Sequence, residues 1–103
     1  MAKCCDVDDF IKAMADETRQ RILNLLQHGE RNVGELTEAL GLTQPTVSYH
    51  LAILHHAGLV IRRSEGKQVF YHPNPACVAD CCREIQTRFS SSAVTVPIIA
   101  SKK

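Results

Sequence analysis

The sequence predicts a mainly α domain carrying one β-hairpin, and three observations carry that prediction. Apolar residues recur at helical spacing over most of the chain up to Gly58. The period then changes: LVIRR (59–63) and KQVFYH (67–72) are rich in β-branched and aromatic residues around a Ser64-Glu65-Gly66 turn. After Pro73 and Pro75, residues 76–89 resume a helical pattern.

Each helix has its own signals. Val7, Phe10, Ile11 and Met14 fall at i, i+3, i+4 and i+7, one apolar stripe. Asp16 is placed to cap a second helix whose Ile22, Leu23, Leu25 and Leu26 form the next apolar patch, with Gly29 as its end marker. Asn32 followed three residues on by Glu35 is a capping box, opening a short helix with Leu36, Ala39 and Leu40 inward and Gly41 as terminator. Thr43 caps a fourth helix with Pro45 in its first turn, where a missing N–H costs little. Val47, Leu51 and Leu54 line its buried side, and Gly58 ends it. Two short helices joined by Gly41-Leu42-Thr43 and followed by a hairpin form a winged helix-turn-helix.

Length and composition bound the rest. The chain has 103 residues, 45% hydrophobic and 22% charged, which suits one small globular domain over 1–103. Its core spans about residues 7–89, and 90–103 is a C-terminal tail whose VTVPIIA segment has no clear period. No apolar run reaches the roughly 18 residues of a membrane span. The start, MAKCCDVDDF, has acids where a secretory signal would have an apolar core, so a cytoplasmic protein is expected. Five cysteines in a reducing compartment favour metal binding or redox sensing over a disulfide framework. Nothing in the chain forms a Ser/His/Asp arrangement, a phosphate loop or a paired-carboxylate cleft, so catalysis and an organic cofactor are not expected.

The net charge of +1 hides an asymmetry: residues 1–18 carry −3, while 19–72 and 73–103 carry +2 each. All five histidines lie in the middle block. An acidic head and a mildly basic body are compatible with DNA binding. With Val47, Leu51 and Leu54 inward, Gln44, Thr46, Ser48, Tyr49 and His50 are left toward the exposed side of the fourth helix. Gln pairs bidentately with adenine, hydroxyls reach base or phosphate, and Thr can touch a thymine methyl. No Asp, Glu, Lys or Arg occurs from Ala39 to Ile61. Phosphate attraction must then come from Arg62, Arg63 and Lys67 in the hairpin, with Arg31 as a further candidate. A solvated polar helix beside a solvated hairpin is the bland alternative.

The run ELTEALGLTQPTVSYHLAILHHAGLV (35–60), followed by RRSEGKQVFYH (62–72), resembles the ArsR/SmtB family of bacterial winged-helix metal-sensing repressors. ADETRQRILNLL (15–26) fits the same family, and the resemblance covers roughly residues 7–89. It implies a homodimer built through the first and last helices, bound to a palindromic double-stranded operator and released by an inducer. It places Gln44, Thr46, Ser48, Tyr49 and His50 at the major groove, with Arg63 and Lys67 in the wing.

The family's usual inducer sites are missing. Where some branches carry E-L-C-x-C on the third helix, this chain has Glu35-Leu36-Thr37-Glu38-Ala39. Where another has two cysteines late in the fourth, it has Ile53 and Ala57. The zinc-type site of the last helix would fall on Pro75, Cys77, Arg88 and Ser91. What remains is Cys77, Cys81 and Cys82 on the last helix, with Cys4 and Cys5 before the first. All-thiolate ligation selects soft ions. Three sulfurs suit As(III) or Sb(III), and a fourth from Cys4 or Cys5 would suit Cd(II) or Pb(II). Thiol oxidation or persulfide sensing on the same fold is the rival reading. Each cysteine taken singly is also a good small core residue.

Overall fold

The computed structural model describes residues 6–89. Its elements are α1 (Val7–Met14), α2 (Glu17–Leu26), β1 (Arg31–Asn32), α3 (Val33–Leu40), α4 (Gln44–His56), β2 (Val60–Glu65), β3 (Gln68–Pro73) and α5 (Pro75–Phe89). The predicted winged helix-turn-helix is the observed architecture, with a third, two-residue strand added. The sheet is antiparallel in the order β1-β3-β2.

The helix starts are built as the sequence indicates. Side-chain oxygens of Asp6 and Asp16 accept the backbone N–H of Asp9 and Arg19, both at 3.1 Å. At α3 both arms of the capping box close: Glu35 N–H donates to Asn32 Oδ1 at 2.8 Å, and Asn32 N–H to Glu35 Oε1 at 2.9 Å. Thr43 caps α4 through Thr46 N–H, and Pro45 stands in the first turn. Gly41 ends α3 in the left-handed region at φ 69°, which lets the chain turn at once into α4.

The core gathers one stripe from every helix. Val7, Phe10 and Ala13 of α1 meet Ile22 and Leu26 of α2, Leu36 and Leu40 of α3, and Val47, Leu51 and Leu54 of α4. Leu59, Val60 and Tyr71 close it from the sheet, and Cys77 and Cys81 from α5. Two expected inward residues face out: Ile11 is 46% exposed and Ala39 is also exposed. Ala13 takes the place that the periodicity gave to Ile11, since α1 presents its narrow 7–10–13 edge to the core.

Asn74 fixes where the last helix begins. Its N–H donates to Leu59 O at 3.0 Å, its amide Nδ2 to Gly58 O at 3.1 Å, and its Oδ1 accepts Cys77 N–H at 3.3 Å. One side chain thus ties the turn after α4 to the first turn of α5. No helix among the described residues is long and apolar enough to cross a membrane.

Candidate nucleic-acid interface and thiol cluster

The exposed side of α4 carries Gln44, Thr46, Ser48 and Tyr49, the last 62% exposed. Thr46 Oγ1 lies 2.9 Å from Thr43 Oγ1, so its hydroxyl is held at the helix start. Tyr49 packs edge-on against the His50 ring, with centroids 5.2 Å apart. The result is an uncharged polar and aromatic strip at the N-terminal half of the second helix of the motif.

His50 departs from the expected exposed row. It is buried, at 9% exposure, and its Nδ1 lies 3.1 Å from Arg19 Nη1. Helical geometry explains this: at about 100° per residue, His50 lies only about 40° around the axis from Leu54 and about 60° from Val47. It therefore belongs to the edge of the buried face.

The wing cations also differ from expectation. Arg63 does not extend freely into solvent. Its Nε and Nη2 donate to the two carboxylate oxygens of Glu30 at 3.0 and 2.8 Å, and its Nη1 donates to Glu65 at 3.0 Å. The hydrogen bonds from Arg63 hold the Glu30 carboxyl below its ordinary range. Arg31 is turned inward toward Leu25 O. Arg62 and Lys67 stay exposed. The sequence could not show the Glu30–Arg63 pair, because 33 positions separate the partners and only the fold joins them.

On α5, Cys77 and Cys81 are fully buried, while Cys82 is exposed. The first two are i, i+4 neighbours on the inward face. Cys82 sits about 100° further round and points away. The three sulfurs of Cys77, Cys81 and Cys82 therefore do not converge in this arrangement, and a third bond from Cys82 would need an adjusted turn. Among the described residues, no three His, Cys, Asp or Glu side chains are placed to hold a metal ion. Cys77 and Cys82 are thiols, whereas Cys81 is disulfide-bonded. Cys4 and Cys5 lie outside the described residues, as does the tail from 90 onward.

Residues 16–62 match the family described as bacterial regulatory protein, arsR family. A probable mercury resistance operon repressor of Streptomyces lividans is 41% identical over 71 residues, 69% of this chain and 57% of that protein. The arsenic resistance transcriptional regulator ArsR1 of Pseudomonas putida is 46% identical over 65 residues, 62% of this chain and 51% of that protein. The chain thus matches little more than half the length of these two relatives. A homodimeric winged helix-turn-helix DNA-binding domain from Mycobacterium bovis superposes with a TM-score of 0.67 at 28% identity, covering 87% of this chain and 85% of that one.

Proposed function

The chain belongs to the ArsR family of bacterial regulatory proteins, and on that premise we propose that it is a homodimeric repressor released from a palindromic operator by a thiophilic metal(loid). It is a transcriptional regulator and not an enzyme. In this reading Gln44, Thr46, Ser48 and Tyr49 meet base edges and phosphates in the major groove, and His50 supports them from the buried edge of α4. Lys67 serves the wing.

The inducer in this reading is As(III) or Sb(III), with Cd(II) or Pb(II) as the four-sulfur alternative. The observation that carries it is the placement of Cys77 and Cys81 on one buried face of α5, a thiol pair once the Cys81 disulfide is reduced. Resistance to arsenic and to mercury in the names of two relatives points to the same soft-ion chemistry. In the reduced protein Cys77 and Cys81 would hold such an ion, with a third sulfur from Cys82, Cys4 or Cys5. Because Cys77 and Cys81 are both buried, their use would require α5 to shift from its packed position and would change the spacing of the two DNA-binding helices. An allosteric coupling of about 1–3 kcal/mol would weaken operator binding roughly 5–150-fold.

The disulfide at Cys81 favours one second reading, a repressor switched by thiol oxidation or persulfide. One titration separates the two. The reduced protein bound to labelled operator is treated with arsenite, antimonite, Cd(II), peroxide and persulfide, alongside Cys4/Cys5→Ser and Cys77/Cys81/Cys82→Ser variants. Release by arsenite with thiolate absorption, lost in the cysteine variants, supports the metalloid reading. Release by oxidant alone, with the complex intact in saturating metal, overturns it.

A further inference from the structure

The wing's charges are not equivalent. Arg63 faces Phe70 across the β2–β3 ladder, with its guanidinium carbon 4.9 Å from the ring centroid. Glu30 reaches it from the loop between α2 and β1 with a two-pronged carboxylate, and Glu65 reaches it from the end of β2. Each of the three guanidinium nitrogens thus has its own carboxylate oxygen, the geometry that arginine forks make best. The three side chains together carry −1, so the cluster offers a phosphate no net positive charge. His72, on the neighbouring strand position, is the other titratable group that acts on Glu30. Moving Arg63 to a phosphate would break three charge-assisted bonds and leave two carboxylates facing the DNA backbone.

We propose that Glu30 and Glu65 hold Arg63 off the DNA, making Arg63 a positioning residue that pins the wing to the loop after α2, while Arg62 and Lys67 alone supply the wing's phosphate contacts. This rests on the DNA-binding reading above and sharpens it. The wing becomes a hairpin aimed by an internal ion cluster, and its acids set how strongly it grips any duplex.

The test uses the full chain and a mixed-sequence DNA duplex, with affinity followed by fluorescence anisotropy over a range of salt. Each phosphate contact contributes about 0.9 to the slope of log affinity against log salt. Arg62→Gln and Lys67→Gln should each flatten the slope by about that amount per subunit. Arg63→Gln should weaken binding but keep the parent slope. Glu30→Gln/Glu65→Gln should free the guanidinium, steepen the slope by about one contact and tighten binding about threefold at the lower end of the salt range. Arg63→Gln flattening the slope as Arg62→Gln does would overturn the proposal. So would an unchanged slope in the double acid variant, which keeps the test decisive if Arg63→Gln folds poorly. Failure of the parent itself to bind the duplex would instead overturn the DNA-binding reading.

Discussion

Arg19 Nη1 lies 3.1 Å from His50 Nδ1, joining the start of α2 to the middle of α4. A guanidinium can only donate, so this imidazole nitrogen accepts and a neutral His50 carries its proton on Nε2. The same guanidinium donates Nε to Ala13 O at 2.8 Å and Nη2 to Lys12 O at 3.2 Å. One side chain therefore seats the end of α1 and α4 together. Arg19→Ala strips a partner from two carbonyls and a buried ring, and should cost about 1–3 kcal/mol in urea unfolding. Arg19→Lys should recover only part of this, because an ammonium lacks the planar fork. A loss within experimental error for Arg19→Ala would contradict this account.

The cap at Asp16 gives stability a pH dependence. The Arg19 N–H bonded to its carboxylate, helped by the nearby Arg19 charge, holds the Asp16 carboxyl below its ordinary value of 3.8. A depressed carboxyl stabilises the fold above its unfolded pKa, and that contribution fades as pH falls through the folded value. Thermal melting should therefore show the Asp16 contribution intact at neutral pH and shrinking in acid below the usual carboxylate range. Asp16→Asn keeps a capping oxygen and should remove that part of the acid sensitivity. Asp16→Ala should cost about 0.5–2 kcal/mol at neutral pH.

Gly41 supplies the left-handed turn between the two helices of the motif. A side chain there meets no atom within 4 Å, so Gly41→Ala introduces backbone strain without a clash. The expected cost is about 1–2 kcal/mol, measured by chemical denaturation. A neutral result would mean that the α3–α4 turn relaxes into another geometry.

The cysteines of α5 should separate cleanly in stability. Cys82 is exposed, and Cys82→Ser should change unfolding free energy by less than about 0.5 kcal/mol. Cys77 is fully buried, and Cys77→Ser places a hydroxyl in the core at a cost of about 1–3 kcal/mol. Equal melting temperatures for the two variants, measured under reducing conditions, would show that α5 does not seal the core as described.

On the exposed strip of α4, Gln44→Ala and Ser48→Ala remove polar groups that serve no core contact. Each should leave the melting temperature close to that of the parent. Where a side chain makes a specific base contact, its loss should cost about 1–3 kcal/mol of operator discrimination. Operator affinity that survives both substitutions would move the interface elsewhere.

Local grammar made most of the fold legible. Caps at Asp16, Asn32 and Thr43, the glycine after α3, and the change of period at residue 59 are all signals carried within a few positions. The two-residue strand β1 was not legible, because Arg31 and Asn32 acquire strand character only by pairing with Tyr71 and Phe70. His50 is half legible: helical angle places it beside the buried residues, but only Arg19, 31 positions away, makes a polar ring acceptable there. The ion pair of Arg63 is not legible for the same reason, since Glu30 arrives through tertiary structure. Among the thiols, the sequence shows which residues share a turn. It does not show that Cys81 faces inward and Cys82 outward until the neighbours of α5 are in place.

Asn32 is a mechanical joint. It pairs with Phe70 in the sheet, caps α3, and donates its Nδ2 to Gln68 Oε1 at 2.8 Å. Wing and helix-turn-helix therefore share a rivet, and neither can swing without dragging the other. In the proposed dimeric repressor, a shift of α5 would therefore move wing and helix-turn-helix together, so that what changes is the distance between the two heads rather than the shape of either.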